Sequence, residues 1–141
     1  MSVSLYAIRK AGSEFVRVRL GASIEEEFAN PAFCNWANER ARAILALLGF
    51  DSIEWGEISI LEAQVAIRRA RSALARREGV TWGEEIQCGS PRTREDGSIE
   101  LRPVRVVRGA CSREYLEREI DRVVSFVSLV ASKGATHIQW N

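Results

Sequence analysis

A chain of 141 residues, 46% hydrophobic and 28% charged with a formal net charge of +1, suits one domain with a real core, and it is neither collagen-like, low-complexity nor wholly disordered. No run of about 18 apolar residues occurs, which argues against a membrane span. One histidine and three scattered cysteines exclude most metal sites.

In chain order, residues 3–9 and 14–20 are β-rich and joined by a turn at Ala11, Gly12 and Ser13, so they predict a β-hairpin closed by Gly21. Val16, Val18 and Leu20 alternate with Phe15, Arg17 and Arg19, a period of two that turns the aliphatics to the core and both arginines to water. Residues 25–34 form a connection in which Asn30-Pro31 can start a helical turn. A helix over 36–48 follows, with Asn35 as N-cap, a stripe of Ala37, Ala41, Ile44, Leu45 and Leu48, and Gly49 at its end.

Ser59 and Glu62 make a capping box that opens a helix running to about Glu78. Ile60, Ala63, Ile67, Ala70 and Leu74 share one stripe; Leu61 and Val65 predict a second buried side in its first half. Residues 80–98 carry turn signals at Gly83, Gly89-Ser90-Pro91 and Asp96-Gly97, and read as an exposed hairpin arm or a loop. Strand character returns at 99–107, where Pro103 points to an edge or a bulge. Ser112 caps the last helix, whose stripe is Leu116, Ile120, Val123, Val127 and Val130, widened by Val124 and Phe126. Glu114 and Arg118 are placed as an i,i+4 pair. Lys133 and Gly134 end that helix, and residues 136–140 alternate as a final strand. The expected fold is a single two-layer α+β domain, about four mostly antiparallel strands on three helices in the order β-β-α-α-β-α-β.

Two stretches carry a resemblance. Asn35-Trp36-Ala37-Asn38, Ala41-Arg42-Ala43-Ile44-Leu45 and Leu47-Leu48-Gly49 form one; Tyr115-Leu116 with Arg118, then Gly134 and Trp140, form the other. Together they cover about a quarter of the chain and resemble a group of small bacterial proteins with an N-x-[SA]-N, A-R-A-x-L, L-L-G helix and a closing Y-L-x-R helix. Arg40 stands where that group often has asparagine. The resemblance implies the fold and no particular activity.

Eighteen of the 20 basic residues are arginine. Arg68, Arg69, Arg71, Arg76 and Arg77 make one basic block and Arg102, Arg105, Arg108 and Arg113 another, with Glu78, Glu84, Glu85, Glu95, Asp96 and Glu100 between them. That alternation disfavours a one-signed polyanion surface. Cys34, Cys88 and Cys111 form no CxxC pair and read as reduced thiols. With no secretory signal in MSVSLYAIRKAGSEF, they place the chain in the cytoplasm.

No phosphate-cradling glycine motif occurs, and His137 is the one imidazole available to a nucleophile. Glu25-Glu26-Glu27 and Glu84-Glu85 read as solvated surface, His137 as a sheet residue, Asn38 as a structural tie, and Trp55 and Trp140 as core or rim. These absences lean away from an enzyme and imply neither cofactor nor metal. The first functional expectation is a protein-binding module that meets an as yet unidentified protein through the 80–110 arm, with Trp82, Ile86, Arg92, Arg94 and Ile99 as contact residues. One alternative is nucleic-acid binding through Arg68, Arg69, Arg71, Arg76, Arg77, Arg102, Arg105 and Arg108; another is a small enzyme whose site gathers dispersed residues.

Overall fold

β1 (Ser2–Ala11) organises the protein. Its odd-numbered side chains Val3, Leu5 and Ala7 are buried, as period-two packing against a helical layer requires. β2 (Glu14–Val18) pairs antiparallel along Ala7–Ala11, and β3 (Asn35–Ala37) along Ser2–Ser4. Both lie on one edge of β1, because its other edge is taken by β7 (His137–Trp140) and by the Ser4–Asn141 backbone pair. β4 (Gly56–Ser59) completes a five-stranded antiparallel sheet beyond β7. The computed structural model describes residues 2–50, 54–76 and 82–141, with backbone alone at 82–88, 90 and 104–110.

Three helices cover the odd face of β1: α2 (Asn38–Leu47), α3 (Ile60–Arg76) and α4 (Arg113–Ser132). Ile44, Leu45, Leu116, Ile120, Phe126 and Val130 are almost wholly buried there, beside Ile138 and Trp140 from β7. The read stripes of α3 and α4 are the buried ones, apart from a half-buried Ile60 at the start of α3 and a half-buried Val124 beside the α4 stripe. Ser59 Oγ accepts from the Glu62 N–H, and Ser112 Oγ from that of Tyr115, as their caps require. Gly134 takes φ +90° after α4, the left-handed position expected at a helix end.

The fold is α+β with antiparallel sheets, but it has seven strands and four helices among the described residues where the sequence reading had about four and three. α1 (Ile24–Ala29) starts at Ser23, whose Oγ accepts from the Glu26 N–H; Asn30 closes that helix rather than opening one. Asn35 does not cap α2. It lies in β3, where its Oδ1 accepts from Ser4 Oγ at 3.3 Å, and α2 begins at Asn38 without a side-chain cap. Trp36 is thereby a buried strand residue, and Ala37 is exposed.

Other departures are local. Phe15 and Val16 are exposed because β2 is an edge strand with no layer over that stretch, whereas Leu20 is buried. Leu61 is exposed and Val65 half-buried, so the expected second side of α3 is covered only in part; Trp55 is exposed, and of the two tryptophans Trp140 alone is core. Arg118 lies over the Tyr115 ring at 5.5 Å, and the i,i+4 pair of that turn is Arg113–Glu117 at 2.8 Å. The expected end of α3 at Glu78-Gly79 lies outside the described residues.

Candidate functional site

The arm is a hairpin. β5 (Trp82–Thr93) pairs with β6 (Ile99–Cys111), and the two form a sheet of their own. The ribbon packs on α2. Its turn follows from the residues. Asp96 Oδ1 accepts from the Ser98 N–H and hydroxyl, and Gly97 adopts φ +85°. Gly97 N–H donates to the Arg94 carbonyl at 3.0 Å and Arg94 N–H to that of Ser98 at 2.8 Å. This is a three-residue loop ending in a left-handed glycine. The serine bonds hold the exposed Asp96 carboxyl below the usual aspartate range.

Parity divides the tip into two faces, since paired residues point the same way. Pro91 pairs with Leu101, Thr93 with Ile99 and Gly89 with Pro103, giving an apolar face on which Ile99 is 73% and Leu101 70% exposed. The Leu101 side chain leans over Gly89, where an added Cβ would touch it at 3.6 Å. Arg92 pairs with Glu100 and Ser90 with Arg102, giving a charged face on which Arg94 Nε meets Glu100 at 3.3 Å.

The edges carry a second message. Arg94 and Ser98 are a hydrogen-bonded pair, so alternation makes 92/100 and 90/102 bonded and turns the backbone groups of 91, 93, 99, 101 and 103 outward. Pro91 and Pro103 therefore sit where each free edge would otherwise show an N–H. Both edges are blunted against strand addition.

Of the five sequence-predicted contact residues, Arg92, Arg94 and Ile99 meet at the tip, with Ile99 on the opposite face from the two arginines. Ile86 pairs with Val106 farther down, and Trp82 pairs with Cys111 at the base. At about 3.3 Å per residue, Trp82 and the tip are roughly 35 Å apart along β5, so the five do not form one patch. The side chains of Trp82 and Ile86 lie outside the described residues. Leu101, Pro91 and Pro103 were missed. The alternation of Ile99 and Leu101 around Glu100 is the signal that could have found them.

Among the described residues the arginine blocks lie on different elements. Arg68, Arg69, Arg71 and Arg76 are exposed on α3, which packs on α4, whereas Arg102 sits on the ribbon against α2. Arg71 is held by Asp121 at 2.9 Å, beside a cleft of about 280 Å³ between α3 and α4. Arg77 lies outside the described residues, as do the side chains of Arg105 and Arg108. In register, Arg105 faces Gln87 and Arg108 faces Glu84.

His137 is half-buried on the central strand, its Nδ1 2.8 Å from Thr136 Oγ1. Register puts it with Ile8 and Ser59 on the even face of the sheet, whereas Cys34, bonded through its carbonyl to the Leu5 N–H, belongs to the odd face. The two do not make a nucleophile–base pair. Burial pushes the Cys34 thiol far up, and also raises that of Cys111. The Cys88 side chain, like those of Glu84 and Glu85, falls outside the described set.

Beside His137, Glu57 accepts from Lys10 and, at 2.9 Å, from Gln139 Nε2; the Lys10 bond is the main reason its carboxyl lies below the ordinary range. Glu25 and Glu26 are solvated as read, but Glu27 is buried and meets Arg17 at 3.5 Å. Asn38 is half-buried at the first position of α2. Among the described residues no cluster of three or more His, Cys, Asp or Glu could hold a metal, and no helix is long and apolar enough to cross a membrane. Compared with models of protein families, with curated proteins and with solved structures, the chain finds no match.

Proposed function

We propose that the protein is a non-catalytic protein-binding module of a bacterial cytoplasm and that the tip of its β-ribbon is the contact element. The observation that carries this reading is the apolar face of Pro91, Ile99, Leu101 and Pro103, exposed on a ribbon of two strands with no third among the described residues. A two-stranded ribbon is marginal alone, and a partner laid on that face would stabilise it. The tip balances Arg92, Arg94 and Arg102 against Glu95, Asp96 and Glu100, which favours a protein surface of mixed charge over a polyanion. The two edge prolines make the binding mode face-to-face packing rather than addition of a strand.

The test is a photo-crosslinking amino acid placed singly at Leu101, Ile99 or Arg92 in cells. Positions 99 and 101 are expected to trap the same protein and position 92 not to trap it. Introducing Ile99→Asp beside the Leu101 crosslinker should abolish the adduct. An absence of any adduct at 99 and 101, or equal trapping from all three positions, refutes the reading.

A further inference from the structure

A second site lies on the opposite side of the molecule's main sheet, on the face that α2, α3 and α4 leave open. There a groove of about 560 Å³ runs over Ser4, Tyr6 and Asn35, with Phe28 and Phe33 as one wall and Arg122 of α4 at its rim.

The guanidinium is positioned from behind. Glu119 is 7% exposed in its side chain and Arg122 40%; Arg122 Nε lies 3.3 Å from Glu119 Oε2, which also accepts from Trp36 Nε1 at 2.9 Å. The carboxylate is thus buried, hydrogen-bonded by Trp36 and ion-paired with Arg122, and the arginine's terminal nitrogens have no second acceptor among the described residues. A fork held by its Nε and open at its far edge suits a planar oxyanion.

The floor adds hydrogen-bond donors. Asn35 Oδ1 is engaged by the Ser4 hydroxyl, which leaves the Asn35 amide hydrogens for a ligand. The Tyr6 hydroxyl has no partner among the described side chains, and its ring is steadied by the Arg17 guanidinium 4.5 Å away. Arg17 in turn rests on buried Glu27. The apolar wall is aromatic: the Phe28 and Phe33 rings are 5.0 Å apart and tilted by 52°, with Phe28 exposed.

We propose that this groove binds a carboxylate carried on a flat apolar body, with Arg122 and Asn35 taking the oxyanion and Phe28 and Phe33 the ring. The chemistry is shared by a small aryl carboxylate and by a peptide that ends in phenylalanine.

The test is an NMR titration of the full chain with phenylacetate, with phenylacetamide and acetate as its two halves, and with Gly-Phe for the chain-end source. Phenylacetate should shift amides around residues 4–6 and 28–35 saturably. The neutral amide and acetate should each bind at least tenfold more weakly, and tighter binding of Gly-Phe than of phenylacetate would assign the site to peptide ends. Arg122→Gln should cost at least tenfold and Asn35→Ala several-fold, while Arg71→Gln, on a cleft elsewhere, changes nothing. Arg122→Gln strands a buried carboxylate; if it fails to fold, the acid-to-amide comparison on the unaltered protein decides. Absence of a saturable shift, equal binding of acid and amide, or shifts confined to other surfaces overturns the proposal.

Discussion

Replacing Trp36 by phenylalanine tests how β3 is tied to α4. In the native protein Trp36 Nε1 donates to Glu119 Oε2 at 2.9 Å, and both residues are buried. A hydrogen bond to a charged acceptor contributes about 1.5–3 kcal/mol, and a buried carboxylate that loses a donor keeps its desolvation cost. The smaller ring also leaves a void worth about 1 kcal/mol. Arg122 still faces the same oxygen, which limits the damage. Trp36→Phe is therefore expected to destabilise by about 2.5–4 kcal/mol, read as a lowered urea midpoint at unchanged slope. Glu119→Gln keeps an acceptor oxygen but removes the charge, so a double-mutant cycle isolates the charge-assisted part, expected at about 1 kcal/mol. A loss below about 1 kcal/mol for Trp36→Phe, or strict additivity of the two changes, would refute the reasoning.

Two further outcomes follow from packing and burial. Gly56→Ala would drive a methyl group into the Trp140 indole, which is stacked on Phe50 at 4.5 Å; overpacking of this kind costs about 2–3 kcal/mol, a fall of roughly 6–12 °C in Tm, whereas Gly89→Ala, in ordinary contact with Leu101, should change Tm by little. Because burial raises the Cys34 thiol, its contribution to stability should be level below the ordinary thiol value of about 9 and fall as pH rises above it, and Cys34→Ala should make the alkaline slope shallower, leaving the part due to Cys111 and Tyr115. The difference between the two proteins' urea midpoints from pH 8 to 10.5 measures that slope, and identical slopes would contradict the burial argument.

The elements legible in the sequence are those with a long period and a cap. α3 and α4 each have a serine at the start and a stripe that runs their length, and the β1–β2 hairpin has a glycine turn between alternating runs. Ser23-Ile24-Glu25-Glu26 is also a capping box, and its reading would have found α1, since Glu26 reaches back to the Ala22 N–H at 2.8 Å. β3 and β4 are three and four residues long, too short to show a period, and the N-terminal asparagine of β3 imitates a helix cap. Buried Glu27 and Glu119 are illegible for a different reason: a carboxylate inside is stabilised by partners from other elements, Arg17 and Trp36, that no local pattern announces. The ribbon tip was half legible: Arg92, Arg94 and Ile99 were read, whereas Leu101, Pro91 and Pro103 take their place on the apolar face only through the strand register.

The placement of β7 has a consequence for how the chain reaches this fold. The strand that fills the middle of the main sheet comes from residues 137–140, and it joins β1 across a separation of well over a hundred residues. Closing so long a loop adds entropy only logarithmically, about 0.6 kcal/mol per doubling, but the search slows the reaction. The β1–β2 hairpin and the α3–α4 pair are free to form early from contacts nearer in sequence. Until β7 arrives, one edge of β1 and one edge of β4 stay open, and the tryptophan it carries is missing from the core. During synthesis the sheet is thus a socket awaiting its central strand, and a chain stalled before residue 137 would present two bare edges to its neighbours.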